Sequence, residues 1–517
     1  MVTRYYNCTV YIDPFTKVHD IFVDDTGLIV RPKDWLKAFE VESVDLGGGT
    51  LIPSFRDTHI HPILGGREAL GLNVRDAETT EELGQKLRDH FLANPDLTWL
   101  DAGTYNRGIT GEITASTLDN YIENIPVVLH ADDHHTIWVN SKALELAGIN
   151  ESNLPAFPIG GIETSNGQPT GILKEEPAKE LILRHAPKPK LEDEIQALLL
   201  AENLLIASGI TEVQDAWVNE KMLDVYLDIH RRLKLDYKLA FALSPENLTN
   251  DIEFITNAKS RIGSNPTISA HALKIFIDGV FGSATAAVSE PYLSTGKNGD
   301  LNWSADGLDL ALSFAVEHGL QAHMHAIGDK AIEFALDAVD KHPGLEAVIA
   351  HAEMTNSQLL KRIKDLKVSL TVQPFWAQNN DLLLTCEKHL GKDRLNNVYS
   401  FKDMFDLTLP VCFSSDWPVS SHRPLDGIRT AVFRRFTEEQ LAHNPDQSVT
   451  LEQALSAYTS AATNLLRSGE GKLTVGSYFD AVLLNKDLMQ LDLEGFDSLE
   501  VLATFKSGSK LLPHNDH

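Results

Sequence analysis

The chain has few cysteines, a shortage of basic residues and no apolar run long enough to span a bilayer. Its three cysteines, Cys8, Cys386 and Cys412, form neither a disulfide framework nor a thiolate zinc pattern. Lysine and arginine total 45 against 73 acidic residues, and the net charge of −28 argues against nucleic-acid binding, which needs a basic surface. We therefore expect a cytoplasmic protein that binds neither nucleic acid nor a membrane.

Length and hydrophobic content indicate a large enzyme. A chain of 517 residues with 43% hydrophobic content can bury a substantial core and allows two or three domains. Short strand-like segments fill the first 50 residues and recur at 472–485 and 499–506, while the only helical period near the start lies at 33–39. We expect the two ends of the chain to pair into one small sheet domain, with two unrelated end caps as the alternative.

Between the ends, apolar strands alternate with amphipathic helices such as 190–207 and 331–341, a pattern typical of a parallel βα barrel. The candidate strands there are nine: 98–104, 126–131, 210–216, 237–243, 272–277, 320–325, 347–351, 369–373 and 410–414. One of them therefore belongs to an insertion at about 65–200. The prediction is an α/β protein with a (β/α)8 TIM-like barrel at 53–465, a large insertion after its first strand, and a β-sandwich built from 1–52 and 466–517.

The motif Asp57-Thr58-His59-Ile60-His61 follows the apolar run 51–55. Histidines two residues apart on a strand point to the same face, so both imidazoles can bind one divalent metal and leave other coordination positions open. Three later apolar runs also end in polar groups, namely His325, His351 and Asp416. Because the carboxyl ends of parallel barrel strands meet at one mouth, we expect these side chains to converge there.

Motifs along nearly the whole chain resemble those of a known family: Asp57-Thr-His-Ile-His-Pro62, Asp133-His-His-Thr-Ile-Trp-Val-Asn-Ser-Lys-Ala-Leu144, Gly167-Gln-Pro-Thr-Gly-Ile-Leu-Lys-Glu175, Lys274-Ile-Phe-Ile-Asp-Gly279, His325-Ala-Ile-Gly-Asp329, His351-Ala-Glu353 and Ser415-Asp-Trp-Pro-Val419. The chain resembles the amidohydrolase superfamily, specifically the YtcJ-like branch (amidohydrolase family 3), which includes N-substituted formamide deformylases. It departs from that pattern at Ser54 and Arg56, where glycine and an apolar residue are usual, and at His134, where glycine is usual. The His134 change puts an inherited substrate specificity in doubt, because that segment is expected to line the pocket.

The resemblance implies one or two divalent metals at the barrel mouth. In the two-metal version His59 and His61 hold one ion, His325 and His351 hold the other, and Asp416 caps the bridging water. Imidazole together with carboxylate suits zinc. Asp416 is then the catalytic proton shuttle, which takes a proton from the water and delivers it to the departing amine.

A binuclear site also needs an anionic bridge between its ions. Lys274 is the first candidate, because related superfamily members carry a carbamylated lysine in the same Lys-x-Phe setting. A lysine near two cations is pushed toward the neutral amine, which can take up CO2 as a carbamate. Glu175 is the alternative, since a carboxylate bridges without modification. The remaining interpretation makes both residues ordinary members of ion pairs.

Other residues are expected to support the site. His323 shares the face of His325 but lies deeper, which favours a supporting or core role over metal ligation. Asp57 either orients a metal histidine or makes a plain hydrogen bond at the strand end. The candidate pocket walls are His135, Trp138, Trp376 and Trp417. A single tryptophan is more often a core residue than a pocket wall.

The resulting hypothesis is metal-dependent hydrolysis of an amide or related C–N bond in a small molecule by metal-activated hydroxide. The substrate classes considered are N-substituted formamides, N-acyl compounds and lactams. One alternative is a mononuclear aminohydrolase that deaminates a heterocycle, although such enzymes usually need a glutamate soon after the histidine at position 325. The other is an inactive barrel scaffold, which has no reason to retain four histidines and Asp416. The oligomeric state is left between a monomer and a homodimer.

Overall fold

The computed structural model describes residues 1–31, 41–132, 134–157 and 161–514, so the helix predicted at 33–39 and the motif residue Asp133 lie outside the described residues. Eight parallel strands, hydrogen-bonded in chain order, form the central sheet. They are β1 (Phe55–Ile60), β2 (Ile210–Val218), β3 (Asp236–Leu243), β4 (Ile268–Phe276), β5 (Gln321–Ala326), β6 (Ala347–His351), β7 (Ser369–Val372) and β8 (Val411–Phe413).

The sheet closes into a barrel at the carboxyl ends of its strands. The backbone N–H of Asp416 donates to the carbonyl oxygen of His59 at 2.8 Å, and the N–H of His61 donates to the carbonyl of Trp417 at 2.9 Å. These bonds join the segment after β8 to β1. Residues of β5 and β6 are buried at every position, as expected for parallel strands that are covered on both faces.

Helices surround the barrel, and many begin where an asparagine, serine or threonine side chain accepts a backbone N–H, as Asn219 and Ser304 do. The helices predicted at 190–207 and 331–341 are present as Leu191–Ala207 and Asp329–Val339. The other α-helices after the insertion are Glu220–Ile229, Leu248–Ile262, Ala305–His318, Ser357–Asp365, Asp381–Leu390, Lys392–Leu395, Phe401–Asp406, Pro424–Phe433, Leu451–Tyr458 and Ser460–Leu466. Short 3-10 helices span Phe281–Ser283, Pro374–Trp376, Pro445–Gln447, Leu488–Gln490 and Glu494–Ser498.

The insertion after β1 has a sheet and core of its own. Its strands, in sheet order, are Gly161–Ser165, Gln168–Lys174, Thr136–Val139, Val127–Ala131 and Leu100–Tyr105. Its helices are Pro62–Leu70, Thr80–Ala93, Ala115–Asp119, Ser141–Leu146 and Glu176–Leu183. The sheet packs on a separate apolar cluster that includes Leu83, Leu129 and Trp138.

The strand count is therefore corrected: two of the nine predicted strands, rather than one, belong to the insertion. Leu100–Tyr105 and Val127–Ala131 are parallel neighbours joined through a short helix, so they imitate a barrel repeat in the sequence. The eighth barrel strand is β1. It begins at Phe55, because Ser54 divides the apolar run 51–55 between two strands. Residues Thr50–Pro53 on the other side of Ser54 belong to a different sheet.

The two ends of the chain meet in two further sheets. Thr50–Pro53 pairs antiparallel with Ala481–Leu484 in a six-stranded sheet that also contains Thr9–Asp13, Thr16–Val18, Val501–Lys506 and Ser509–Lys510. A four-stranded sheet contains Val2–Tyr6, Ile21–Asp24, Ile29–Val30 and Val41–Asp45. Side chains of both sheets, including Tyr5, Leu51 and Phe505, share one core. The predicted fold class is confirmed. Among the described residues, no helix combines the length and the apolar character that crossing a membrane requires.

Candidate metal centre

The polar groups predicted at the strand ends meet at the carboxyl mouth of the barrel. His59 lies in β1, His325 in β5, His351 ends β6, and Asp416 follows β8 by three residues. One nitrogen of His59, one of His351 and one carboxylate oxygen of Asp416 all lie within 4.8 Å of one another. All three residues are buried. The strands thus bring together residues that are more than 350 positions apart in the chain.

The other predicted ligands adjoin this cluster. His61 Nε2 lies 3.1 Å from Asp416 Oδ1, and His59 Nε2 lies 3.4 Å from the same oxygen. Lys274 Nζ, from β4, lies 3.2 Å from His59 Nε2. The rings of His325 and His351 are 4.4 Å apart between centroids, and those of His59 and His351 are 4.8 Å apart. The four histidines, Lys274 and Asp416 therefore form one group.

For His325 and His351, a hydrogen bond at one ring nitrogen shows that the other nitrogen is available to the centre. His325 Nε2–H donates to the carbonyl of Gly279 at 3.1 Å, which leaves Nδ1 for the centre. His351 Nδ1–H donates to Gln373 Oε1 at 2.8 Å, which leaves Nε2. Burial lowers the pKa of His59, His325 and His351 well below the usual value, so these rings are neutral and keep a lone pair. Neutral imidazoles beside a carboxylate are a donor set that fits a divalent metal.

Lys274 and Glu175 occupy different positions around the centre. Burial lowers the pKa of Lys274 to about 7, although the carboxylates of Asp416 and Asp215 oppose that shift. Glu175 has other partners. Its Oε2 lies 2.8 Å from His135 Nδ1, and its Oε1 accepts a hydrogen bond from Thr285 at 2.6 Å. Lys274 thus lies beside His59 and Asp416, while Glu175 lies beside His135.

Several supporting side chains were missed in the sequence. Asp278 accepts backbone N–H bonds from Ala287, Ile327 and Gly328 at 2.9, 3.1 and 2.9 Å, so it joins the segments that follow β4 and β5. Burial raises its pKa to about 7. Sequence reasoning included Asp278 only as part of the motif Lys274–Gly279. The available signal was a carboxylate two residues after a buried strand.

Asp215 and Asp57 are two further buried acids at the mouth. Asp215 accepts a hydrogen bond from the Tyr226 hydroxyl at 2.7 Å and lies 3.9 Å from His61 Nδ1; burial raises its pKa to about 6. Asp57 accepts the backbone N–H of His59 at 3.1 Å and that of Ser415 at 3.2 Å. Of the two roles considered for Asp57, the structure has the hydrogen bond at the strand end.

The candidate pocket walls divide into two groups. The Trp376 ring stacks on His351, with centroids 5.7 Å apart and planes inclined by 13°, and Trp417 directly follows Asp416. The His135 ring lies 5.8 Å from that of His325. Trp138, by contrast, is fully buried in the core of the insertion, where its Nε1–H donates to the Thr114 carbonyl at 2.8 Å. The structure does not bring Trp138 to the metal centre.

His134, which replaces the family's usual glycine, has a backbone φ of 57°, a conformation in which glycine is unstrained. Its carbonyl accepts a hydrogen bond from Lys179 Nζ at 2.6 Å, and its Nε2 lies 3.5 Å from Glu68 Oε2. These contacts hold the strained backbone in place. The departure therefore adds an imidazole at the junction between the insertion and the barrel.

Comparisons with known proteins agree with this geometry. The profile of the amidohydrolase family matches residues 42–510. The putative amidohydrolase YtcJ of Bacillus subtilis (strain 168) is 28% identical over 509 residues, covering 95% of this chain and 94% of that protein. The N-substituted formamide deformylase of Arthrobacter pascens is 24% identical over 495 residues, covering 91% and 89%. The crystal structure of an uncharacterized metal-dependent hydrolase from Pyrococcus horikoshii OT3 superimposes with a TM-score of 0.76 at 25% identity, covering 96% of this chain and 99% of that one.

Proposed function

This chain belongs to the amidohydrolase family, whose members are hydrolytic enzymes, and from that premise we propose that it hydrolyses an amide or a related C–N bond in a small molecule with the help of a bound divalent metal. The proposed metal ligands are His59, His61, Lys274, His325, His351 and Asp416. The observation that carries the proposal is the meeting of His59, His351 and Asp416 within 4.8 Å. The similarity to a metal-dependent hydrolase structure supports it.

Asp416 is the proposed catalytic proton shuttle. Its Oδ1 lies 3.1 Å from His61 Nε2 and 3.4 Å from His59 Nε2, so the carboxylate borders the space that these imidazoles enclose. A divalent metal held by these residues would supply a polarised water, whose pKa would fall toward ~7. The Asp416 carboxylate accepts a proton from the attacking water and returns it to the departing amine, which is a poor leaving group until it is protonated. Zinc is the proposed metal, because its preferred ligands are imidazole and carboxylate.

Lys274, as a carbamate, is the proposed bridge between two ions. Burial brings its pKa to about 7, so a sizeable neutral fraction is available to react with CO2. Glu175 is the weaker candidate, because its two oxygens already contact His135 and Thr285. We expect Lys274→Ala to be inactive and to be partly rescued by short carboxylic acids, while Glu175→Gln keeps its metal and some activity. A Lys274→Ala protein that keeps both ions, beside a Glu175→Gln protein stripped of metal, would assign the bridge to Glu175.

The proposed substrates are N-substituted formamides, N-acyl compounds and lactams, and the similarity to an N-substituted formamide deformylase puts formamides first. The test is a panel of formamides, N-acyl amino acids, lactams, carbamates and amino-substituted heterocycles, assayed with zinc-loaded protein. Chelator-treated protein and the Asp416→Asn variant are the controls. We expect amine release from at least one acyl compound, lost in both controls. Ammonia release from a heterocycle by protein that holds one ion per chain would indicate an aminohydrolase. A protein that binds no metal and turns over no compound of the panel would indicate a scaffold.

A further inference from the structure

Behind the metal centre, three fully buried side chains form a row of hydrogen bonds, and the proposed function uses only one of them. His323 Nε2 lies 2.9 Å from His59 Nδ1, and the amide nitrogen of Gln214 lies 2.8 Å from His323 Nδ1. His59, His323 and Gln214 have no exposed surface. The Gln214 oxygen Oε1 has no hydrogen-bond partner among the residues that the structure describes. An unpartnered buried oxygen is costly, so its position requires an explanation.

The orientation of the Gln214 amide decides which nitrogen of His59 carries the proton. With the amide nitrogen facing His323, Gln214 donates to His323 Nδ1, and the single proton of a neutral His323 lies on Nε2. That proton is donated to His59 Nδ1, so the proton of His59 must lie on Nε2. Nε2 is the nitrogen that faces Lys274 and Asp416, at 3.2 and 3.4 Å. In this arrangement the lone pair of His59 lies on Nδ1, where it accepts from His323, and none lies on Nε2, which faces the metal centre.

A half-turn of the Gln214 carboxamide reverses every bond in the row. Oε1 then accepts a proton from His323 Nδ1, His323 Nε2 accepts from His59 Nδ1, and the lone pair of His59 Nε2 becomes available. The oxygen and nitrogen of an amide are close in size, so the half-turn needs no repacking of the barrel. It gives Oε1 a hydrogen bond and moves the amide nitrogen to the position that Oε1 leaves.

His351 provides the contrast within the same centre. Gln373 already presents its oxygen to His351 Nδ1 at 2.8 Å, and its nitrogen donates to Ser414 Oγ at 2.9 Å, which holds the amide in that orientation. His351 Nε2 therefore keeps its lone pair for a metal, and the same state of His59 Nε2 requires the Gln214 oxygen to face His323. Gln214 has no comparable second bond to Oε1 among the described residues.

We propose that Gln214 and His323 are positioning residues that select the tautomer of His59, with the Gln214 oxygen facing His323 Nδ1 when His59 binds metal. The proposal rests on the proposed function in one respect, namely that His59 is a ligand. Neither residue touches the metal or the substrate. Their effect is on the affinity of the site for its ion.

The test is zinc affinity, measured on the full-length apo protein by competition with a chromophoric chelator. Gln214→Glu places only acceptors opposite His323 Nδ1, so it should bind zinc at least as tightly as the unmodified protein. Gln214→Leu offers no acceptor and should bind about 10–100-fold more weakly, the usual effect of losing a partner behind a metal ligand. A purely structural role predicts the reverse order, because leucine suits a buried site better than a carboxylate does. Normal affinity in Gln214→Leu, or equal weakening in both variants, would overturn the proposal.

Gln321 supplies a matched control. It is also fully buried, its Oε1 also lacks a partner within the described chain, and its nitrogen donates to Glu346 and Leu465 at the opposite end of β5. Gln321→Leu and Gln321→Glu should leave zinc affinity unchanged. Weakening as large as that of Gln214→Leu would show that any buried glutamine has this effect, and the proposal would fail.

A second measurement uses the unmodified protein and does not depend on whether a variant folds. Nitrogen-15 NMR of ring-labelled histidine in the zinc-loaded, unmodified protein should show the protons of both His59 and His323 on Nδ1. A His323 proton on Nε2 in the zinc-loaded protein would contradict the proposal. The double variant His59→Ala, His61→Ala separates the two levels of the account. If that variant keeps all its zinc, the ligand assignment and the proposed function fail; if it loses zinc while Gln214→Leu binds normally, only the Gln214 proposal fails.

Discussion

The two ends of the barrel each hold a buried polar cluster, and the clusters differ in how their charges are matched. Near the amino ends of the strands, Arg56 lies 3.2 Å from Glu212, which also lies 3.4 Å from Lys238 and accepts a hydrogen bond from Ser468 at 2.6 Å. At the carboxyl ends, the neutral imidazoles of His59, His325 and His351 lie around Lys274 and Asp416. The charges of the first cluster pair with one another, whereas the second cluster brings together lone pairs that would bind a cation.

The same strands supply both clusters. Arg56 and His59 lie three residues apart in β1, and Glu212 and Asp215 lie three residues apart in β2. This agrees with the general division of such barrels, in which the amino ends serve stability and the carboxyl ends serve chemistry. It also explains the unusual Arg56, because the arginine is paired with Glu212. We therefore expect mutations at the two ends to separate activity from stability.

The largest effect is expected at the carboxyl end, in Asp416→Asn. Asparagine keeps the shape of the side chain but cannot carry a proton at neutral pH, so turnover should fall by roughly 10²–10⁴-fold. Metal content, measured by mass spectrometry on the same sample, should stay close to that of the unmodified protein. Near-normal turnover in a metal-replete variant would remove Asp416 from the shuttle role.

The second effect is expected at the amino end, in Glu212→Gln. Removing this carboxylate leaves Arg56 buried without its main partner, and breaking a buried ion pair typically costs about 3–5 kcal/mol of unfolding free energy. Urea unfolding should show this loss, while turnover per folded molecule stays unchanged. Asp365→Asn, which removes the exposed partner of Lys361, is the control and should leave stability nearly unaltered. Lost activity without lost stability in Glu212→Gln would contradict the division between the two ends.

The smallest effect concerns His271, which is buried in β4 and donates from Nε2 to the carbonyl of Leu465 at 3.0 Å. Burial, assisted by Arg467, lowers its pKa from 6.5 to about 4. Because the unfolded chain takes up this proton first, stability should fall as the pH drops from 6.5 toward 4, by about 3 kcal/mol from this group. His271→Gln should flatten the pH dependence of urea unfolding in that window, and the exposed His185→Gln should not. Equal slopes in all three proteins would show that His271 does not titrate as inferred.

The sequence was sufficient to predict the barrel and the groups at its mouth, because polar residues near the carboxyl end of an apolar run are visible in one dimension. His59, His351 and Asp416 each stand in that position. The strand count failed because Leu100–Tyr105 and Val127–Ala131 have the apolar character of barrel strands. Only the pairing of Val127–Ala131 with Thr136–Val139 assigns both to another sheet.

The partners behind the ligands could not be predicted. Gln214, Gln373 and Asp278 have ordinary sequence surroundings, and each acts on a residue from another strand or on the backbone of a distant loop. Their roles depend on which strands become neighbours in the barrel. Trp138 shows the converse, because it lies in a motif typical of the family but packs into the core of the insertion.

The most direct test of the account is the location of the metal in crystals of zinc-loaded protein, found from anomalous scattering at the zinc edge. We predict peaks at the carboxyl mouth, one about 2.0–2.1 Å from nitrogens of His59 and His61 and one at the same distance from His325 Nδ1 and His351 Nε2. Zinc bound elsewhere, or a mouth without an anomalous peak in protein that contains zinc, would contradict the central claim that these strand ends form a metal centre.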